Sequence, residues 1–316
     1  MFIPFNSATR IMLLLFIHVL AEGGPIPNKH PFETVLFKEV NDSFVLVVHA
    51  THSSTTPFIY DRGHAALSIH ETNGNCILID NSELEILNPW DPVLKSRSAD
   101  PLIRFSLVLD NSASVDEDSM RHLHGALADF FENLPASFQA QIIKFSDEIQ
   151  DKTEFLSQKG PLLAKIREAR PQSGSALFDA IDLAVMELQY SGDDVPFQFC
   201  LIVSDGHDNA SIKNRDRDLF RKKLAAKWKT KQIPTFFVGV TDQAEQDLLA
   251  AEDGFHSYRA KDFAHLGGAL ELVSRFLRDS FIFRFPARTS SGRINFLQIV
   301  HKTDDQTELI QKISIP

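Results

Sequence analysis

The middle of the chain alternates short apolar runs with longer amphipathic stretches between about Leu102 and Ser280. The apolar runs predict β-strands over 103–109, 140–145, 197–203 and 233–240, with one antiparallel edge strand over 150–156. Helical periodicity predicts helices over 120–132, 161–169, 176–188, 216–229 and 262–278. This alternation is typical of an α/β fold with a mostly parallel sheet, helices on both faces and the carboxyl ends of the strands at one edge.

The two flanks, 32–100 and 281–316, predict β-strands without helices. Strands are expected over 44–48, 66–70, 77–79, 281–285, 294–300 and 308–315, with a hairpin turn at Asn73-Gly74-Asn75. Neither flank is long enough to bury a core of its own. We therefore expect the flanks to form one β-sandwich, with the domain over 101–280 inserted between them.

The amino-terminus has the pattern of a signal peptide over 1–21, followed by a polar linker over 22–31. Arg10 precedes the apolar run Ile11–Leu20, and Ala21 is the expected cleavage site. The run is too short to span a bilayer, so we expect an exported protein, periplasmic or secreted, without a transmembrane helix in the mature chain. An uncleaved anchor is the alternative. Cys76 and Cys200 are expected to be buried free thiols, with a disulfide as the other option.

Composition narrows the classes of partner. The chain has 316 residues, a hydrophobic share of 43%, a charged share of 23% and a net charge of −10. Because no long basic run occurs, nucleic acid and anionic membranes are not expected partners. The twelve histidines have no zinc-ligand spacing.

Three loops, each following a predicted strand or preceding a predicted helix, carry side chains with oxygen atoms. They are Asp110-Asn111-Ser112-Ala113-Ser114, Pro171-Gln172-Ser173-Gly174-Ser175 and Ser204-Asp205-Gly206-His207-Asp208-Asn209. Ligands of open α/β sheets bind at the carboxyl ends of the strands, where these loops would meet. Oxygen ligands suit a hard cation, so Mg²⁺ is expected, with Ca²⁺ or Mn²⁺ as alternatives.

These loops make the segment resemble a von Willebrand factor type A domain with a metal-ion-dependent adhesion site. The DxSxS motif of that family is matched by Asp110, Ser112 and Ser114, and its final Asp-Gly is matched by Asp205-Gly206. The family has a Gly-Thr pair before a helix, whereas this chain has Gly174-Ser175, which keeps the hydroxyl and loses the methyl group.

The resemblance implies the roles of the site residues. Ser112 and Ser114 would bind the metal directly, Asp110 and Asp205 directly or through water, and Ser175 when a ligand docks. An Asp or Glu carboxylate of a partner protein would complete the metal shell. His207, Asp208 and Asn209 are read as a solvated loop and are the candidates for further partner contacts.

A second, looser resemblance concerns the flanks. The segment FKEVNDSFVLV over 37–47, together with the carboxyl-terminal strands, is similar to exported bacterial proteins of unassigned function that contain von Willebrand-type domains. It supports export and the inserted architecture, and it implies no activity.

The predicted function is therefore an exported, metal-dependent protein-binding module for adhesion or scaffolding, and not an enzyme. One alternative is a metal-dependent hydrolase or phosphatase using Asp110, although Ser112 stands where an aspartyl phosphatase needs a second carboxylate. No phosphate-binding loop or G-x-S-x-G motif supports that alternative. A structural module with a lapsed metal site is another. In the alternative without any binding site, Asp110 only ends a strand, and Ser112 or Ser114 caps the helix that follows.

Overall fold

A computed structural model describes residues 32–40, 42–50, 65–80, 82–91, 101–112, 116–168, 174–192, 194–205, 207–240, 254–288, 294–302 and 308–314. The predicted signal peptide, the linker and Ser114 lie outside the described residues. All described residues belong to one compact unit.

The central sheet has six strands in the order β11-β10-β9-β6-β7-β8. The strands are β6 (Ile103–Asp110), β7 (Phe138–Phe145), β8 (Ile149–Lys152), β9 (Phe197–Ser204), β10 (Thr235–Val240) and β11 (Phe255–Ala260). Neighbouring strands are parallel except for β8, which pairs antiparallel with β7. Every residue of β6 and β9 is buried, because both faces of the sheet are covered.

Helices cover the two faces of this sheet. They are α1 (Glu117–Glu132), α2 (Lys159–Arg167), α3 (Leu177–Tyr190), α4 (Arg217–Lys231) and α5 (Leu266–Arg278), with a short 3₁₀ helix at Phe263–His265 before α5. The buried residues of α1, α2 and α5 share one apolar cluster, and those of α3 and α4 share another. Phenylalanines fill much of the first cluster: the rings of Phe105 and Phe199 stack with centroids 4.9 Å apart. A fully buried ring of this size contributes roughly 2 kcal/mol to stability.

The flanks form two antiparallel sheets. Their strands are β1 (Phe32–Val40), β2 (Ser43–Ala50), β3 (Ala65–Glu71), β4 (Cys76–Ile79), β5 (Glu85–Leu87), β12 (Ser280–Pro286), β13 (Ile294–Lys302) and β14 (Glu308–Ser314). One sheet has the order β1-β2-β12-β5 and the other β14-β13-β3-β4. Strands from both ends of the sequence therefore pair in each sheet, and the central domain lies in the chain between the neighbours β5 and β12.

Strand β2 is buried on both faces, which joins the sandwich to the central domain. Phe44, Leu46 and Val48 belong to the apolar cluster between the two antiparallel sheets. The intervening Val45 and Val47 belong to the cluster that contains α1 and α5. The period-two alternation of a strand thus separates two cores, one on each side of the same sheet.

The predicted fold class is confirmed. Most predicted elements differ from the observed ones by a few residues at their ends, but the strands β1, β5 and β11 were not predicted. The two cysteines are both free, and Cys200 is buried as expected. The expectation that Cys76 is buried is wrong, because it is exposed on the short edge strand β4. Within the described residues, no helix combines the length and the apolar character needed to cross a bilayer.

Candidate functional site

Asp110 is the last residue of β6, and its carboxylate is buried at the carboxyl edge of the sheet, with the residue only 3% exposed. The backbone N–H of Ser112 donates to Asp110 Oδ1 at 2.9 Å. The hydroxyl of Ser204, at the end of the neighbouring strand β9, donates to Asp110 Oδ2 at 2.5 Å. Ser204 was not predicted as a site residue, although its place at the end of the adjacent apolar run was a usable signal.

The electrostatic environment disfavours the charge on Asp110. Burial, and next the repulsion of the nearby Asp205 carboxylate, raise the pKa of Asp110 to about 6. The hydrogen bonds from Ser204 and Ser112 act in the opposite direction and only partly compensate. The buried carboxylate of Asp110 is therefore surrounded by neutral donors and by a second acidic side chain, that of Asp205.

Helix capping does not explain the polar cluster after β6. The N-cap of α1 is Asp116, which accepts a hydrogen bond from the Ser119 N–H at 2.7 Å. Ser112 is buried and lies well before this cap. The interpretation of Ser112 as the helix cap is therefore wrong, and the position of Ser114 lies outside the described residues.

The second predicted loop places Ser175 at the same edge of the sheet. Gly174 has φ +85°, and a Cβ atom there would lie 2.8 Å from the Cβ of Asp147, so only glycine fits without a shift. The N–H of Ala176 donates to Ser146 O at 2.5 Å, which ties this segment to the end of β7. Ser175 is 3% exposed, and its Oγ has no hydrogen-bond partner among the described residues.

The third loop is held against the first turn of α3. The N–H groups of Asn209 and Ala210 donate to Ser175 O, and Asn209 Oδ1 accepts from the Ser175 N–H at 2.8 Å. Asp208 Oδ1 accepts from the Phe178 N–H at 3.1 Å. Asp208 is half-buried, so the expectation of a solvated loop is wrong for Asp208, whereas Asn209 is exposed as expected although its Oδ1 is hydrogen-bonded. His207 is exposed as expected.

Asp179 has a structural role that the sequence did not reveal. It lies in the first turn of α3, and its carboxylate accepts the N–H groups of Ile212, Lys213 and Asn214 at 2.9 to 3.1 Å. It also accepts from Asn214 Nδ2 at 2.9 Å. One carboxylate thus fixes the loop that follows β9, and no local sequence signal indicates such a contact.

The donors at this edge suit a hard cation. Asp110, Ser112, Ser175 and Asp205 offer carboxylate and hydroxyl oxygens, and the described residues contain no cluster of three or more His, Cys, Asp or Glu side chains arranged for a metal. The buried Ser175 Oγ, which has no partner among the described residues, is an oxygen that a cation could bind. These side chains therefore provide the kind of donor that a hard cation requires.

These features define an α/β domain with an oxygen-lined site at the carboxyl edge of a mostly parallel sheet. The family model described as the von Willebrand factor type A domain matches residues 106–272, which is more than half of the chain. The chain therefore belongs to the von Willebrand factor type A domain family. A comparison with curated protein sequences found no match.

Several solved structures resemble the chain at low identity. Proximal thread matrix protein 1 from the mussel byssus has 13% identity and a TM-score of 0.48, with 66% of this chain and 51% of that chain covered. This chain thus spans about half the length of the mussel protein. A von Willebrand factor type A protein from Catenulispora acidiphila has 10% identity, a TM-score of 0.49 and coverages of 91% and 74%. The PilB minor pilin from Streptococcus sanguinis has 12% identity, a TM-score of 0.47 and coverages of 78% and 78%. With TM-scores below 0.5, these likenesses do not indicate what the chain binds.

Proposed function

We propose that this chain is an exported protein-binding module for adhesion or scaffolding that depends on a divalent metal. The ligands would be Asp110, Ser112, Ser175 and Asp205, with Ser114 as the fifth ligand implied by the DxSxS motif. Mg²⁺ is the expected metal, with Ca²⁺ or Mn²⁺ as alternatives. When bound, the cation would supply positive charge and a coordination position for an Asp or Glu carboxylate of the partner.

The observation that carries this proposal is the buried Ser175 Oγ without a hydrogen-bond partner in the described part of the chain, at the edge that also holds Asp110. A buried hydroxyl oxygen that makes no hydrogen bond is costly, and such atoms call for an explanation. A cation would satisfy this oxygen and offset the repulsion between Asp110 and Asp205. A lapsed site would gain nothing from keeping these polar groups buried.

Neither the hydrolase nor the phosphatase alternative receives comparable support. Ser112 lies where an aspartyl phosphatase would need its second carboxylate, and its N–H is directed to Asp110 Oδ1. Binding without chemistry is therefore the function that these residues support best, and a screen of phosphatase substrates with metal present tests the alternative. Turnover that disappears in Asp110→Asn would overturn the proposal.

Thermal unfolding of the mature chain with and without metal tests the site. At a metal concentration of about one hundred times Kd, a ligand that binds only the folded state adds about 2.7 kcal/mol. At an unfolding entropy of about 2.1 cal/mol/K per residue, we expect Mg²⁺ or Mn²⁺ to raise Tm by roughly 4 °C relative to EDTA. Asp110→Asn should remove the rise, because the amide brings no negative charge to the cation.

A matched control keeps this test specific. Asp129 is exposed on α1, and Asp129→Asn should retain the full metal-dependent rise. In EDTA, Asp110→Asn should be at least as stable as the wild type, because a disfavoured buried charge is removed. Equal rises in the wild type and in Asp110→Asn would reject the site assignment.

Export is the second part of the proposal. It rests on the amino-terminal pattern Arg10, Ile11–Leu20 and Ala21. The mass of the chain recovered from outside the cytoplasm should correspond to a first residue of Glu22. Recovery of the uncleaved chain from the cytoplasm alone would contradict export.

A further inference from the structure

A surface beside the candidate metal site combines exposed apolar and basic side chains. Ile212 is 84% exposed and Leu219 is 64% exposed, which is unusual for large aliphatic side chains. Lys213, Arg215 and Lys222 are exposed around them. We call these five residues the Ile212 surface.

The backbone under this surface is fixed. Asp179 accepts the N–H of Ile212 at 2.9 Å and that of Lys213 at 3.1 Å. Asn214 Nδ2 contacts the carboxylates of both Asp179 and Asp182, at 2.9 and 3.3 Å. Ile212 is therefore presented to solvent from a held backbone, so its use in binding would require little ordering of the loop.

Hydrogen bonds along the same loop connect the Ile212 surface to the candidate metal site. The loop that begins after Asp205 is bound to Ser175 through Asn209 and to the next residues of α3 through Asp208. Its continuation is bound to Asp179, also in the first turn of α3. A partner that places a carboxylate at Ser175 would therefore have the Ile212 surface beside it.

The charge of this surface is opposite to that of the chain as a whole. The net charge of the chain is −10, whereas the three basic residues of this surface outnumber the exposed acidic neighbours Asp216 and Asp218. Lys213, Arg215 and Lys222 make no ion pair within the part of the chain that the structure describes. The nearby Lys223 differs, because it pairs with Asp182 at 2.6 Å. Unpaired basic groups on an acidic protein favour an acidic partner.

We propose that the Ile212 surface is a second contact area for a protein partner, and that it selects an acidic segment containing an aliphatic residue. The aliphatic side chain would pack on Ile212 and Leu219, and the acidic side chains would pair with the basic residues. The mixture of apolar and basic groups favours protein over nucleic acid, which is bound chiefly through its phosphates. This inference rests on the proposed function of the adjacent metal site.

Selection from a random-peptide phage library on the mature chain in Mg²⁺ tests the inference. One variant is the triple charge reversal Lys213→Glu/Arg215→Glu/Lys222→Glu. The control is Arg275→Glu, which reverses one exposed charge in the last turn of α5. The wild type and the control should select peptides with several acidic residues beside an aliphatic one. The best such peptide should bind the triple reversal about tenfold more weakly, and less so at high salt.

A second pair of variants isolates the apolar part. Ile212→Ser should weaken the same peptide by roughly fivefold, because part of an aliphatic contact is lost. Leu272→Ser, which changes an aliphatic side chain that is 45% exposed on α5, should not weaken it. Equal effects of the two serine variants would overturn the role of Ile212.

The outcomes separate this inference from the metal site. Wild-type selection of peptides with one acidic residue, bound only in Mg²⁺, would overturn the Ile212 surface and leave the metal site standing. Acidic peptides that bind equally in EDTA but not to the triple reversal would support the surface and overturn the metal-dependent function. Failure to select any peptide, or tighter binding of random single-stranded oligonucleotides than of the best peptide, would overturn the inference.

Discussion

Strand β6 carries a buried charged side chain near each end, and the two differ in what surrounds them. Arg104, near the start, is 6% exposed, and Asp110, at the end, is 3% exposed. Arg104 lies at the amino-terminal ends of the parallel strands and Asp110 at their carboxyl-terminal ends. Both charges would be costly to bury alone. Their surroundings show which charge the protein itself compensates.

Arg104 is fully engaged by the protein. It donates to Gln139 Oε1 and to Ser191 O, both at 2.8 Å, and more weakly to Gly192 O at 3.3 Å. Both carboxylate oxygens of Asp194 accept from it, at 3.0 and 3.2 Å. Burial acts to raise the pKa of Asp194, but the hydrogen bonds and charge of Arg104 outweigh it and hold that pKa below its usual value.

Asp110 has neutral donors from Ser112 and Ser204, and its nearest charged influence is the like charge of Asp205. The pKa shifts of the two aspartates consequently have opposite signs. A buried charge that the protein neutralises can be kept without an external partner, whereas one beside a like charge is suited to an external cation. This difference separates a structural cluster from a candidate binding site on a single strand.

The largest expected effect comes from removing the compensated charge. Arg104→Ala would leave a cavity and strip Gln139, Ser191 and Gly192 of their donor, so we expect the free energy of unfolding to fall by about 3 kcal/mol. Asp194→Asn should cost less than about 1 kcal/mol, because the Asp194 side chain is 64% exposed and its pairing is screened.

Urea unfolding of both variants in EDTA measures these values. The metal-dependent rise in Tm should persist in Arg104→Ala, because the cluster lies at the opposite edge of the sheet from Asp110. A loss below 1 kcal/mol in Arg104→Ala, or a lost metal response, would contradict the contrast between the two edges.

His256, near the amino-terminal ends of the strands, is a buried polar side chain that the protein does not fully compensate as it does Arg104. The ring of His256, on β11, lies 5.0 Å from the Phe236 ring and 4.6 Å from the Phe276 ring, centroid to centroid. Its Nε2 has no hydrogen-bond partner among the described residues. Burial, and next the nearby His49, lower the pKa of His256 to about 4.

The sign of the pH effect follows from the neutral state of His256 in the folded chain. The unfolded chain takes up a proton below the ordinary pKa of 6.5 and the folded chain only near 4, so acid favours unfolding over this range. At up to about 1.4 kcal/mol per pH unit, we expect His256 to remove about 2 kcal/mol of stability between these pH values.

His256→Phe isolates this contribution, since phenylalanine keeps the ring and does not titrate. The comparison with wild type is needed because Asp110 acts oppositely: its raised pKa means that protonation favours the folded state. Chemical unfolding from pH 7 to pH 4 should show the wild type losing more stability than the variant. Parallel pH profiles would contradict a neutral, buried His256.

The fold and the site differ in how far the sequence could predict them. The apolar runs that end at Asp110 and Ser204 identified the strands and the edge of the sheet, because strands buried on both faces need continuous apolar sequence. The strand Phe255–Ala260 was missed because its mixed polar pattern, FHSYRA, suits an edge position with only its last residue buried. The local sequence pattern therefore predicts strands that are buried on both faces better than it predicts edge strands.

The contacts that shape the site were beyond sequence reasoning for a different reason. Asp179 reaches a loop more than thirty positions away in the chain, at Ile212 to Asn214, and Arg104 is compensated by Ser191 to Asp194. Asp208 looked like one more surface acid. Such roles depend on which loops the topology brings together, so only the three-dimensional arrangement distinguishes Asp179 from Asp110.

The smallest expected effect is at Ser175, and it tests the contrast most directly. In EDTA, Ser175→Ala should not lower the free energy of unfolding, because Oγ has no hydrogen bond to lose and the cost of burying it without a partner is removed. In Mg²⁺ the variant should show a smaller rise in Tm than wild type, since one proposed oxygen ligand is gone.

Ser175→Thr is the matched variant, because it keeps the hydroxyl and supplies the methyl group found in the Gly-Thr pair of the family. We expect it to keep the metal-dependent rise and to bind the partner as well as wild type or better, since a β-branched side chain has fewer rotamers. A loss of about 1 kcal/mol or more for Ser175→Ala in EDTA would mean that the protein itself satisfies Oγ. The carboxyl edge would then be compensated in the same way as Arg104, and the argument for an external cation at this edge would fail.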